Sequence, residues 1–236
     1  MNKNNKLVSV IMSVYNADKT ISQCLESIVN QTYTNLEVLI MDDCSSDNTA
    51  EILKKYEEEY SNIKIYKNNQ NIGLTKSLNI LIQNSKGFYI ARHDADDVSF
   101  QNRIDKQVTY IEKFNLDGCT TRAKVMHSKK IIPKLSYYLP LKNVINYKNP
   151  FIHGSLILKM KVIKDLNLYD ENFYYSQDYK LMKDLILNNY DVRILKDPLY
   201  ILNMKDNIST NFKDKQQYYA NCVKKGLVPE NQRLCK

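Results

Sequence analysis

The 236-residue chain lacks several features that would assign it to a class at once. No apolar run approaches the length needed to cross a bilayer, and the polar residues 1–6 are followed by no signal-peptide core. The five cysteines are scattered, odd in number and without the spacing of a metal site. These absences predict a soluble, cytoplasmic protein whose cysteines are free thiols.

Glycine is also scarce. Only five glycines occur, and the loop "SVYNADKT" after the first apolar run contains none. The dinucleotide fingerprint and the P-loop both need glycines at that place, so the sequence excludes both. No linker rich in proline or glycine and no internal repeat divides the chain, which predicts a single domain.

The charge is unbalanced, with a formal net charge of +8 and a pI near 9.0. This excess permits an anionic partner, such as nucleic acid, a phosphorylated substrate or an acidic membrane surface. No basic stripe interleaved with aromatic residues is present, so no nucleic-acid partner is expected. The alternative is compositional, because lysine is abundant along the whole chain.

The first half of the chain alternates between two hydrophobic patterns. Two apolar runs, "LVSVIMSVYN" and "LEVLIMDD", predict buried strands, while "NIKIYKN" predicts a third, weaker strand and "FYIARHD" a fourth. Between and after them lie helical stripes, one of which is expected to end at Gly87. The alternation predicts an α/β fold with a mostly parallel central sheet and helices on both faces. Ligands bind beyond the carboxyl ends of such strands, where "SVYNADKT", "MDDCSSDNT" and "HDADDV" should meet.

The second half is less regular. "HGSLILKM" predicts a strand and "SQDYKLMKDLILNNY" a helix. "DVRILKD" and "LYILNM" predict two short strands, and "TNFKDKQQYYANCVKKGLV" a closing amphipathic helix.

Three carboxylates, Asp94, Asp96 and Asp97, follow the fourth predicted strand. In an extended segment the D-x-D spacing puts Asp94 and Asp96 on the same side. Two carboxylates with open remaining positions suit Mg²⁺ or Mn²⁺ that shares the phosphates of a substrate. The alternative is a surface turn followed by a helix cap at Asp97 or Ser99.

Asp43 ends the second predicted strand. A carboxylate there can accept hydrogen bonds from a ring N–H or a ribose hydroxyl. It can equally form an Asx-turn that begins the next helix, and both roles can hold at once.

The ordered motifs together resemble the family 2 glycosyltransferases, which have the GT-A fold of nucleotide-diphospho-sugar transferases. The resemblance begins with "VSVIMSVYNADKTISQCLESIVNQTYTNLEVLIMDDCSSDNT" and continues through "NIGLTKSLN", "GFYIARHDADD" and "QNRIDKQV". "NPFIHGSLILKM" and "YSQDYKLMKDL" resemble later segments of the family. The resemblance implies one catalytic domain over residues 1–236. About 7–115 would bind the nucleotide-sugar, about 116–205 the acceptor, and about 206–236 would form a C-terminal helix and tail.

The resemblance also implies roles for individual residues. Ser13 and Tyr15, in "SVYN", match positions at the nucleotide, and Asp43 matches the acid that reads the base. Asp96 matches the metal ligand, with Asp94 at the ribose or at the waters of the metal.

Three further matches fall outside the acidic loop. Lys76 could face the diphosphate, although a solvated helix face is the alternative. His153 matches a segment near the acceptor, although a packed histidine is the alternative. Asp178 falls on the position of the catalytic base, and Gln177 stands where many members have glutamate. The alternative for Asp178 is a charge favoured by the dipole at a helix N-terminus.

The implied reaction is inverting, metal-dependent hexosyl transfer from a nucleotide-sugar, with UDP as the commonest nucleotide, to a glycan or lipid-linked acceptor of bacterial surface-polysaccharide type. Two rivals are a sugar-phosphate nucleotidyltransferase, which would want a glycine-rich signature after the first strand, and a binding domain of the same fold. A lipid-linked acceptor would let a basic tail rest on the inner membrane leaflet, and a solvated end is the alternative. That tail contains Lys224, Lys225, Arg233 and Lys236.

Overall fold

The structure is a computed structural model that describes residues 5–204 and 212–230. Arg233, Lys236 and Cys235 therefore lie outside the described residues. The strands are β1 (Val8–Val14), β2 (Leu36–Asp42), β3 (Ile63–Lys67), β4 (Tyr89–Arg92), β5 (Val98–Ser99), β6 (Gly118–Val125), β7 (Ile131–Ile132), β8 (Ile157–Lys159) and β9 (Val192–Leu202). The α-helices are α1 (Ile21–Val29), α2 (Thr49–Glu59), α3 (Leu74–Asn84), α4 (Arg103–Phe114), α5 (Leu141–Val144), α6 (Met160–Asp165), α7 (Gln177–Leu187) and α8 (Lys213–Lys225). Short 3₁₀ turns lie at Leu135–Tyr138 and His153–Ser155.

One mixed sheet organises the described residues, in the order β3-β2-β1-β4-β8-β6-β9-β5, with β7 paired to β6. The four strands of the first half are parallel, as the alternation of strands and helices predicts. β8 runs antiparallel to both β4 and β6. The antiparallel β8 joins the parallel half to the second half of the sheet.

The core has two apolar layers. The first half supplies one layer through the inward faces of β1, α1 and α4. The second layer is formed where α3, α6, α7 and α8 pack against the sheet. The helical stripes predicted from the sequence are inward-facing, since Leu181, Met182 and Leu185 of α7 are all buried. The sheet therefore has helices on both faces, as predicted.

Two strand predictions in the second half are wrong in detail. The two short strands predicted after α7 are one continuous strand, β9. Its internal Pro198 lies opposite Arg122, where the pairing of β6 and β9 shifts register, and such an irregularity tolerates a residue without an N–H. The strand predicted from "HGSLILKM" is only Ile157–Lys159, because the 3₁₀ turn precedes it and α6 follows it.

Gly87 does not end a helix. Helix α3 ends at Asn84, and Gly87 lies two residues beyond its C-cap residue, Ser85. A Cβ atom on Gly87 would lie 2.5 Å from Ser9 Oγ and 2.6 Å from the Ser9 backbone nitrogen. The glycine is therefore needed where the chain passes close to β1.

No helix within the described ranges, 5–204 and 212–230, is both long and apolar enough to cross a bilayer.

Candidate active site

The carboxyl ends of β1, β2 and β4 lie side by side, because β1 pairs in parallel with both neighbours. Tyr15 follows β1, Asp43 follows β2, and the acidic loop 93–97 follows β4. The predicted meeting of the three loops at one edge of the sheet is therefore observed.

Asp94 is held by a buried guanidinium. Arg92 Nη2 lies 2.6 Å from Asp94 Oδ1, and the Arg92 side chain is almost inaccessible to solvent. Burial alone would raise the pKa of Asp94, but the charge and hydrogen bond of Arg92, together with His153 and His93, hold that pKa below its usual value. A Cβ atom added to Gly154 would lie 2.5 Å from Oδ2, the other carboxylate oxygen of Asp94. Glycine at position 154 thus permits the 3₁₀ turn to approach the acidic loop.

Asp97 faces the interior. Its Oδ1 accepts a hydrogen bond of 2.7 Å from the backbone N–H of Asn203, and its Oδ2 has no hydrogen-bond partner among the described residues. Burial, reinforced by the charges of Asp94 and Asp96, raises the pKa of Asp97 well above its usual value. Helix α4 begins at Arg103, so neither Asp97 nor Ser99 caps it. The helix-cap alternative for this loop is wrong.

Asp96 lies between Asp94 and Asp97 in the sequence, and its side chain is half-buried. Burial and the neighbouring charge of Asp94 raise its pKa to about 6. A divalent cation beside the pair would offset both effects, so the donor set fits the predicted metal. No group of three or more histidine, cysteine or acidic side chains among the described residues could hold a metal ion. Such a cation would therefore depend on additional oxygen ligands from substrate.

The underside of the acidic loop is a buried polar cluster. His93 Nε2 lies 2.9 Å from Ser99 Oγ, and its Nδ1 lies 2.8 Å from the carbonyl oxygen of Asp94 and 3.4 Å from Cys24 Sγ. Burial and the charge of Arg103 lower the pKa of His93 to about 3, so the ring is neutral. Burial also raises the pKa of the Cys24 thiol. Cys24 is therefore an inert thiol that supports the loop.

Asp43 is buried and already has three protein donors. Its Oδ1 accepts hydrogen bonds from Asn68 Nδ2 (2.8 Å) and the Ile72 backbone N–H (2.9 Å), and its Oδ2 accepts one from the Gly73 backbone N–H (2.8 Å). The carboxylate thus fixes the loop that leads into α3. The Asx-turn predicted for Asp43 is instead made by Asp47, whose Oδ1 accepts a hydrogen bond of 3.0 Å from the backbone N–H of Thr49, the first residue of α2. The role of Asp43 at a nucleotide stays a prediction.

These contacts predict a structural effect of Asp43→Asn. An amide has one acceptor oxygen, so its NH₂ group would face a buried backbone N–H, and we expect the free energy of unfolding to fall by about 2 kcal/mol. Chemical denaturation of the unliganded protein measures the change. Asp197→Asn is the control, because the Asp197 side chain is half exposed and, within the part of the chain that the structure describes, forms an ion pair with Lys106 alone. Equal stability of Asp43→Asn and the parent would contradict the structural role.

The remaining donor-side candidates lie at the same edge of the sheet. Tyr15 is 53% exposed, so its ring is available to a base. Ser13 is half-buried near the end of β1. Lys76 is exposed in the first turn of α3, which follows β3. Their contacts with a nucleotide-sugar stay predictions.

Asp178 approaches this edge from the second half of the chain. It is the second residue of α7, half-buried, and its Oδ2 accepts a hydrogen bond of 2.8 Å from Asn149 Nδ2. Asp178 also lies in the first turn of α7, where the helix dipole favours a negative charge. This position is compatible with a catalytic role.

His153 lies in the segment that connects Asp178 with the acidic loop, since Asn149 donates a hydrogen bond to Asp178 and Gly154 lies against Asp94. Its Nε2 is 2.7 Å from the Tyr169 hydroxyl. Burial and the charge of Arg92 lower its pKa to about 4, while the charges of Asp178 and Asp94 act in the opposite direction. The ring of His153 therefore lies close enough to Arg92, Asp94 and Asp178 for all three charges to shift its pKa. The structure therefore brings Asp94, His153 and Asp178 into one site.

Three contributors to this site were missed from the sequence: Arg92, Asn149 and Tyr200. An arginine inside the apolar run "FYIARHD" is a signal that could have been used, since a buried charge needs a partner. Tyr200 accepts a hydrogen bond from the Asp94 backbone N–H at 3.1 Å, across 106 residues of sequence. Neither Tyr200 nor Asn149 has a local pattern that distinguishes it.

Comparison with known proteins identifies several relatives. The family model "Glycosyl transferase family 2" matches residues 9–167. The putative glycosyltransferase EpsE of Bacillus subtilis is 35% identical over 169 residues, which cover 69% of this chain and 59% of EpsE. The UDP-Glc:α-D-GlcNAc-diphosphoundecaprenol β-1,3-glucosyltransferase WfgD of Escherichia coli is 32% identical, with coverage of 78% and 71%. An uncharacterized glycosyltransferase of Methanocaldococcus jannaschii, MJ1057, is 30% identical, with coverage of 91% and 77%.

Solved structures share the fold. The crystal structure of Staphylococcus aureus TarS 1-349 in complex with UDP matches with a TM-score of 0.74 at 22% identity, over 92% of this chain and 64% of that one. The mannosyltransferase PcManGT of Pyrobaculum calidifontis, in complex with GDP-Man and Mn²⁺, matches with a TM-score of 0.74 at 17% identity, over 94% and 65%. The predicted GT-A fold is confirmed. The chain spans about three fifths of the length of EpsE and of TarS 1-349.

Proposed function

Because the chain belongs to glycosyl transferase family 2, we propose that it transfers a sugar, with inversion, from a UDP-sugar to an acceptor hydroxyl. The observation that carries the proposal is that residues 149–154 reach both carboxylates: Asn149 Nδ2 donates a hydrogen bond to Asp178 Oδ2, and Gly154 lies against Asp94 Oδ2. One half of the chain offers carboxylates for the leaving nucleotide, and the other offers a carboxylate for the attacking hydroxyl.

Asp178 is the general base in this proposal. Its carboxylate would accept the proton of the acceptor hydroxyl as that oxygen bonds to the anomeric carbon. The bond from that carbon to the diphosphate oxygen breaks, and its electron pair leaves with the nucleoside diphosphate. Asn149 supports this role because it donates a hydrogen bond to Oδ2 of Asp178 and so orients the carboxylate. The other oxygen, Oδ1, takes no part in that hydrogen bond.

Asp96, with Asp94, would hold a divalent cation that neutralises charge on the departing diphosphate. Arg92 would keep Asp94 ionised and fixed, since its guanidinium is buried against that carboxylate. His153 would stay neutral and position the turn between the two carboxylates, because its ring bonds to the Tyr169 hydroxyl. Tyr15 would lie against the base and Lys76 near the diphosphate.

The donor and acceptor classes rest on relatives. WfgD, by its name, uses UDP-Glc and a diphosphoundecaprenol-linked sugar, which supports a UDP-sugar donor and a lipid-linked acceptor for this chain. PcManGT is described with Mn²⁺, which makes Mn²⁺ the first cation to test.

The proposal predicts Mn²⁺-dependent release of UDP. We expect UDP to accumulate when the chain is incubated with its UDP-sugar, Mn²⁺ and a lipid-linked acceptor, and we expect EDTA to stop the release. A panel of UDP-sugars assayed for free UDP provides the measurement. Tight binding of a UDP-sugar without release, with every acceptor offered, would favour a binding domain over an enzyme.

A further inference from the structure

Positive charge is concentrated in one stretch of the chain. Residues 118–164 contain ten lysines and arginines and no aspartate or glutamate. The remainder of the chain holds 24 basic and 26 acidic residues, so it is close to neutral. General abundance of lysine therefore does not explain the charge of +8, because the excess of basic over acidic residues lies within this stretch.

The centre of this stretch is a surface loop, residues 126–149, named here the basic loop. It connects β6 to the 3₁₀ turn of His153 and includes β7 and α5. Its lysines are all exposed to solvent, at positions Lys129, Lys130, Lys134, Lys142 and Lys148. Ion pairs between these lysines and other described residues are absent. Their charge is thus available to a partner.

The same loop exposes large apolar side chains. Four of them are between 54% and 82% exposed: Leu135, Tyr138, Leu139 and Tyr147. Other side chains of the loop, such as Val144 and Ile145, are buried and anchor it. The exposed leucine and tyrosine side chains therefore lie close together in sequence on one anchored loop, and grouped apolar side chains on a surface are a mark of an interaction site.

The loop is attached to the candidate base. The Tyr179 hydroxyl, in the first turn of α7, donates a hydrogen bond of 2.6 Å to the carbonyl oxygen of Ile145. Asn149, at the end of the loop, donates to Asp178 itself. A surface that bound this loop would lie on the acceptor side of the site.

We propose that the basic loop docks the protein onto an anionic phospholipid bilayer. Lysines attract the anionic headgroups, while leucine and tyrosine side chains enter the boundary between headgroups and acyl chains. Docking does not depend on the chemistry at Asp178. Its use, which is to bring a lipid-linked acceptor to that residue, rests on the proposed function.

Vesicle binding tests the proposal. The 236-residue chain is sedimented with vesicles of phosphatidylcholine alone and of phosphatidylcholine with phosphatidylglycerol. We expect binding only to the vesicles with phosphatidylglycerol, and we expect it to weaken as salt is added. Equal binding to both vesicles, or to neither, would overturn the proposal.

Paired substitutions then locate the surface. Lys134→Gln with Lys148→Gln should weaken vesicle binding about 30-fold, since two lysines near the headgroups are lost. Lys54→Gln with Lys55→Gln is the matched control, because these exposed lysines lie on α2, which packs beside β3 at the far edge of the sheet. The control should change binding less than about twofold. Leu135→Ser with Leu139→Ser should weaken binding about tenfold.

Two results would show that the basic loop is not the membrane-binding surface. If Lys224→Gln with Lys225→Gln abolishes binding while the basic-loop variants bind normally, docking occurs through α8 and the proposal is wrong. If single-stranded RNA binds the loop and vesicles do not, the surface recognises nucleic acid. The proposed function is tested separately, because Asp178→Asn should bind vesicles like the parent and the basic-loop variants should still release UDP in detergent solution.

Discussion

Replacement of Asp178 by asparagine is expected to lower sugar transfer by about 10²–10⁴-fold, because an amide cannot accept the proton of the acceptor hydroxyl. The substitution keeps the size and shape of the side chain. The amide oxygen can still accept the hydrogen bond from Asn149, so the fold and the donor site should persist. Steady-state transfer rates and UDP affinity, measured on the same preparation, test both expectations.

The pattern of effects is more informative than the loss alone. Asn149→Ala removes the group that orients Asp178 but leaves the carboxylate, so we expect a smaller loss, of about tenfold, in transfer. Transfer by Asp178→Asn at a rate close to that of the parent would show that another group is the base.

Replacement of Asp96 by asparagine is expected to remove the stimulation of turnover by Mn²⁺, with a loss of about 10²-fold or more. The reason is that Asp94 is already paired with Arg92, and Asp97 is turned into the interior. Asp96 is therefore the carboxylate of this loop with the most freedom to bind a cation. Turnover as a function of Mn²⁺ concentration provides the measurement.

Stability separates this loss from unfolding. The pKa of Asp96 is raised to about 6 in the folded protein by burial and by Asp94. Ionising it therefore costs folding free energy, a cost that is absent below about pH 4 and complete above about pH 6. Without a cation at pH 7, Asp96→Asn should be as stable as the parent or more stable by about 1 kcal/mol, after allowance for partial exposure. Clear destabilisation of Asp96→Asn would mean that the carboxylate has a structural role instead.

The first half of the fold could be predicted, because strands and helices that follow one another in the sequence there also pack against one another. The parallel strands β1 and β2 are nearly continuous apolar runs, and the helices between the strands carry apolar stripes, so local patterns suffice. The order of these elements then brings Tyr15, Asp43 and the acidic loop to one edge of the sheet. In the second half, strand β9 continues through Pro198 because β9 has extra residues where it pairs with residues 121–123 of β6, and such an irregularity tolerates proline. That irregularity is a property of two strands together.

Within the site, residue types were predictable but their states were not. The three closely spaced aspartates of the acidic loop look alike in sequence, yet their surroundings differ. Asp94 is paired with Arg92, Asp96 is half-buried, and Asp97 is bonded to the backbone of Asn203. Asn203 is 106 residues away from Asp97, so no local pattern could indicate that hydrogen bond.

Titration calorimetry of UDP with and without Mn²⁺ measures whether the cation and the nucleotide bind cooperatively. Cooperative binding is required if a cation, shared with a diphosphate, compensates the charge of the crowded carboxylates after β4. We expect Mn²⁺ to increase UDP affinity at least about tenfold, UDP to increase Mn²⁺ affinity by the same factor, and Asp96→Asn to abolish this coupling. An affinity for UDP that is unchanged by Mn²⁺ would contradict this expectation.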